Sequence, residues 1–346
     1  MKNLFCSLLA LLLMGATALT TQAQTTRRCN NSGITGANIY TTLQAAHDAA
    51  SNGDFIYLEP TDLTYGNLNC TKRLTIIGSG YFLDQNPGLQ LTDKESITGV
   101  VTFNTGSASS RIMGCYINST LSVVANDVIV ERNRISTTYI GYNGQTGATA
   151  TISNTIIRHN YFEASLNIYP SSPNTVSNVN ISNNIIIGGL GSSGQYTGMS
   201  DIIIAHNVIG NLAGNSFSGI NLDNAVIKNN IMTYTSTGAN FNPRNNSYSY
   251  NISGNAAFGT ANGNQQNISP SAMFVGGTAS TDGAFQLKAA PNPAIGTGDN
   301  GASLGAFGGP NPYRIAGIPS VPTIYQFNQS VSGNTLNATI STRSNN

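Results

Sequence analysis

The middle of the chain repeats one short pattern of apolar and polar positions. VIVERNRI (128–135), TIIRHNYF (155–162), VNISNNII (179–186), IIIAHNVI (202–209) and AVIKNNIM (225–232) align without gaps. Each has an apolar or small residue, an apolar residue two on, Asn three further, and an apolar residue two after that. The Asn positions are Asn133, Asn160, Asn184, Asn207 and Asn230. SRIMGCYI (110–117) fits with Cys115 in the Asn slot, and NSYSYNIS (246–253) fits more weakly with Asn251. Successive slots lie 18, 27, 24, 23, 23 and 21 residues apart.

Alternation with period two predicts strands, and the Val, Ile and Phe that fill the apolar positions agree. Self-similarity at a period of 20–50 residues means a solenoid whose units stack on one another. A leucine-rich repeat would show Leu at several fixed sites per unit, which this chain does not. A parallel β-helix remains, each coil giving short strands to long parallel sheets. The Asn marks the turn between strands, where stacked amides hydrogen-bond along the axis. With the Asn inside, the residue before it points outward: Gly114, Arg132, His159, Asn183, His206, Asn229, Tyr250. The residue after it includes Tyr116, Arg134 and Tyr161.

Both ends break the pattern. Lys2, an apolar run from Leu4 to Met14 and small or polar residues to Ala23 read as a secretory signal peptide over 1–23. That run is too short to span a membrane, and no second one follows. Export predicts a secreted or cell-surface protein. Three cysteines remain after Ala23; Cys29 and Cys70 flank the N-terminal segment and could pair in an oxidising compartment, leaving Cys115 as a buried thiol.

Composition narrows the function. Charged residues are 8% of the 346, against roughly 25% ordinarily, and 15 basic residues balance 14 acidic ones. No basic field exists to hold nucleic acid. With 40% hydrophobic residues the chain is not disordered. No Cys/His cluster suggests a metal.

The repeat resembles the right-handed parallel β-helix proteins of the pectin lyase-like superfamily, from about Phe55 to Phe307. IYTTLQAAHDAASNGDFIYLEP (39–60) resembles that family's usual start, a short amphipathic helix before the first strand. The resemblance implies an N-terminal cap over 24–54, burying Leu43, Ala46 and Ala50, and a solenoid over 55–309. FVGGTASTDGAFQLKAAPNPAIGTGDNGASLGAFGG (274–309) resembles the last coils of secreted bacterial members. Residues 310–346 read as a proline-punctuated linker and a tail of two strands around Ser332-Gly333-Asn334, too short for a core of its own.

Coils stack ~4.8 Å apart, so Arg132, Arg134, Arg158, His159, Tyr116 and Tyr161 should form one exposed patch, with His206 in the same column and Glu131 and Glu163 at the margin. Such a patch suits an acidic polysaccharide, with Arg on carboxylates and Tyr on sugar faces. The same residues also suit a solvated turn whose charges pair locally, Glu131 with Arg158 for example. Catalysis would need a base tuned near neutrality, or two close carboxylates. The solenoid offers only isolated acids; Asp201 and Asp223 either face each other or cap turns. Calcium would enter only with a lyase, and one or two Asp give it few ligands. The expectation is therefore a monomeric binder of an extracellular polysaccharide or cell-surface component, without turnover. A polysaccharide lyase or glycoside hydrolase is the alternative.

Overall fold

The computed structural model describes residues 24–191, 198–214, 220–236, 245–277 and 279–345. Residues 1–23, the expected signal peptide, lie outside them. Strands Phe55–Leu58, Thr75–Ile77, Arg111–Met113, Ile129–Glu131, Ile152–Arg158, Val176–Ser182, Met199–Ala205, Ala225–Lys228 and Ser247–Ser249 stack in that order, all parallel. The short strands after each Asn slot build a second parallel sheet, among them Tyr161–Phe162, Ile185–Ile186, Val208–Ile209, Ile231–Met232 and Ile252–Ser253. Its longer members bend at Ile135/Thr137, where the register slips. The chain is an all-β parallel β-helix.

The Asn ladder forms as the spacing predicts. Each Asn Nδ2 donates to the next Oδ1, from Asn133 to Asn160, Asn184, Asn207 and Asn230, at 3.0–3.2 Å. Each Oδ1 also accepts the backbone N–H of the rung before, as Asn184 Oδ1 does from Asn160. The amides thus satisfy backbone groups that the turn takes out of the sheets. Asn251 continues the ladder, and Asn264, outside the repeat pattern, ends it. The residue before each rung is left-handed: Arg132, His159, Asn183, His206, Asn229 and Tyr250 have φ of 53–58°, and Gly114 69°.

Helix Leu43–Ala49 caps the first coils, burying Leu43 and Ala46, with Ala50 buried just beyond it. The sheet already begins inside the cap segment: Thr26–Cys29 pairs with Phe55–Leu58, and Ile39–Tyr40 pairs with Arg28 and Cys29. The expected Cys29–Cys70 bridge is not formed; both are free buried thiols. They sit on strands of different sheets, and each sulfur is turned to a carbonyl, Thr42 O and Lys72 O.

Residues 274–309 do not form the last coils. They contain no strand among the described residues and fold back over the outside of the second sheet. Met273, Phe274, Phe285, Leu304 and Tyr313 pack there on Tyr161, Ile185, Val208, Ile231 and Ile252, a second apolar core outside the coil. The tail is an antiparallel hairpin, Thr323–Ser332 with Thr335–Arg343, most of it exposed.

Candidate functional site

The expected patch is covered. Residues 299–318 run along the left-handed turn column in the direction opposite to coil growth. The Asp299 N–H donates to Asn229 Oδ1, Asn183 Nδ2 donates to Ala306 O and Gly308 O, and His159 Nε2 lies 2.8 Å from Asn311 O. Arg132 Nη1 donates to Ile318 O. At the top, the buried Asp282 carboxylate accepts from Ala316 N and Tyr313 OH, and Tyr313 also bonds Tyr81 OH. Gly309 lies against the His206 ring, where a Cβ would come within 2.8 Å. Arg132, His159, Tyr161 and His206 are therefore 7, 6, 7 and 9% exposed rather than solvated. The turn column does point outward, as parity requires, but this strap seals it.

The rest of the patch is spent on internal pairs. Glu131, 1% exposed, accepts from Arg111 and, at 2.7 Å, from Arg158. Burial raises its carboxyl, but the two guanidinium groups win and hold it below the usual range. Arg134 pairs with Glu95 at 3.2 Å and Glu163 at 2.6 Å, and its guanidinium stacks 3.9 Å from the Tyr116 ring and 4.5 Å from Phe82. Burial pushes the His159 imidazole down to about 4, helped by the Arg132 and Arg158 charges and opposed by the hydrogen bond to Asn311; its Nδ1 has no partner. Asp201 takes a left-handed conformation inside the strand Met199–Ala205, and Asp223 caps the N–H of Asn224 at 3.0 Å.

Arg134 forms the floor of an open cleft of about 660 Å³. Its walls are the 79–95 segment, the second sheet and the strap near Thr281. Asp62, Asp84, Asp93, Glu95 and Glu163 line it against two cations, Lys94 and Arg134. Burial raises the Glu95 carboxyl despite Phe82 N–H and Arg134. The repeat brings in only Arg134, Tyr161, Glu163 and Ile187. The 79–95 residues lie between strands, so periodicity gave no signal for them; their acid content was the readable cue. No group of three or more metal-binding side chains occurs among the described residues.

No family model matches the chain, and no curated protein matches it. A solved structure, the crystal structure of pectate lyase Pel9A, is similar over 82% of this chain and 97% of that one, with 15% identity and a TM-score of 0.33. The β-helix itself rests on the strand pairing of this chain.

Proposed function

We propose that this protein is an exported, monomeric, non-catalytic β-helix that binds an extracellular polysaccharide or cell-surface component. One observation carries the reading. The Arg and His residues of the expected patch are paired or covered, so no free base or anion clamp is left there, while the open cleft keeps sugar-binding chemistry. Carboxylates accept hydrogen bonds from hydroxyl groups. Five carboxylates against two cations oppose a uronate chain and favour a neutral or amino sugar.

Hydrolysis is the second reading, and one feature favours it. Glu95, with a raised carboxyl, faces Glu163 across Arg134, which bounds the oxygens at roughly 8 Å apart, within reach of an acid and base pair. Affinity gels and reducing-end assays with cellulose, xylan, mannan, chitosan and pectate, using the chain from Gln24, separate the two. Retardation without new reducing ends supports binding. Cleavage lost in Glu95→Gln and Glu163→Gln would establish hydrolysis, and neither effect would sink both.

A further inference from the structure

The far face of the second sheet carries a row in strict register, Asn69, Thr102, Ser122, Tyr139 and Asn167, of which Asn69, Tyr139 and Asn167 reach solvent and Thr102 and Ser122 are buried. No charged side chain interrupts it. Tyr139 belongs to a half-buried tyrosine cluster, with ring centroids 5.4 Å from Tyr142 and 5.5 Å from Tyr169, and Tyr142 and Tyr169 5.0 Å apart at 32°. The loop that carries Tyr142 also presents Asn143, whose amide donates to Asn104, and Asn104 in turn donates to Asn69. Between this amide line and the loop lies a hollow of about 210 Å³, lined only by Asn, Gln, Thr, Leu and Val.

Core packing alone would bury the three rings, yet all three keep part of their surface in solvent. A neutral saccharide offers apolar C–H faces and rings of hydroxyl groups. Aromatic faces beside uncharged amides and hydroxyls match both. Nucleic acid or a uronate chain would need cations, and none lines the hollow. We propose that this face is a second glycan site for a neutral chain laid across the coils. Tyr139, Tyr142 and Tyr169 are its stacking platform, with the half-buried Asn104 as a hydrogen-bonding partner. The proposal rests on the carbohydrate reading above but uses none of the cleft's residues.

The test titrates the chain from Gln24 with cellohexaose, xylohexaose, mannohexaose and laminarihexaose by calorimetry. Tyrosine iodination, mapped by mass spectrometry, is then repeated with and without the sugar that binds. Protection of Tyr142, with affinity weakened roughly tenfold in Tyr142→Ala, is the expected result. Should Tyr142→Ala lose its fold, the protection pattern of the unaltered chain decides. A neutral sugar that leaves Tyr142 unprotected and binds Tyr142→Ala at full strength overturns this site. Binding lost only in the cleft variant Asp84→Asn does the same while upholding the cleft. No binding of any sugar overturns both.

Discussion

His159 on the solenoid and Asn311 on the strap meet at 2.8 Å across 152 residues of sequence, imidazole Nε2 to backbone carbonyl. With Nε2 donating, the neutral ring is complete, and Nδ1 points into the protein without a partner. A second proton would put a buried charge and an unmatched donor beneath the strap.

Burial of that imidazole sets a pH dependence. The folded imidazole titrates near 4 against an ordinary 6.5, so between these values the unfolded chain binds more protons than the folded one. Stability is therefore full above pH 6.5 and falls as the pH drops towards 4, by up to about 3 kcal/mol from this residue. His206, also lowered by burial, pulls the same way. The expected outcome is a Tm that declines through this window and declines less in His159→Gln. Equal slopes in the two proteins would disprove the assignment.

The amide ladder is the part of the fold most open to reading from sequence, and it should be costly to interrupt. Asn184 accepts from the N–H and Nδ2 of Asn160 and donates to Asn207 Oδ1, Ile157 O and Ser182 O. Asn184→Ala orphans several buried groups at once and should cost about 3 kcal/mol or more in urea unfolding. Asn328→Ala, on an exposed stretch of the C-terminal hairpin, should cost less than about 1 kcal/mol. Equal effects would mean that the ladder merely fills space.

Spacing sufficed for the ladder because every coil must repeat the same inward amide. The site was harder to read for a physical reason: parity says which way a residue points, not what comes to cover it. The cue lay one position further on. After the ladder Asn the outward column runs Tyr116, Arg134 and Tyr161, then Ile185, Val208, Ile231 and Ile252. Four outward aliphatics in register need a covering layer. In 274–309 the apolar residues Phe274, Phe285 and Leu304 follow neither the two-residue nor the 23-residue spacing, which suits a strap and not a coil.

Glu131 tests whether the expected basic patch is structural. It holds Arg111 and Arg158 on one buried carboxylate. Glu131→Ala leaves two guanidinium groups facing each other without a partner, and should lower stability by about 3 kcal/mol. Arg158→Ala keeps the Arg111 pair and should cost less. If the patch instead held a ligand, Arg158→Ala would weaken glycan binding and leave Tm unchanged.

The thiols give a check on the N-terminal cap. Burial pushes Cys29 up to about 12 and Cys70 up to about 11, and Cys115 is raised as well. None is a thiolate at neutral pH, so none should react with Ellman's reagent in the folded chain from Gln24. All three should react in guanidinium without reductant. Only one reactive thiol after unfolding would restore the Cys29–Cys70 bridge.

Two truncations separate the strap from the hairpin that follows it. The hairpin touches the body at few points: Leu91 N–H bonds Ile324 O, Arg343 reaches Gly88 O, and Arg132 reaches Asn345 O. Its large apolar side chains Phe327, Val331, Leu336 and Ile340 stand in solvent, so they contribute little burial to lose. Ending the chain at Val321 should shift Tm by only a few degrees. Ending it at Gly298 removes Leu304, Ala306 and Tyr313 from over Ile185, Val208 and Ile231, which gain roughly 1.5–3 kcal/mol each from full burial. It also strips the carbonyls that hold Arg132, Asn183 and His159. That protein should unfold many degrees lower and bind ANS in its native state. If the two truncations behave alike, the strap contributes nothing to the fold and the turn column beneath it is free to bind.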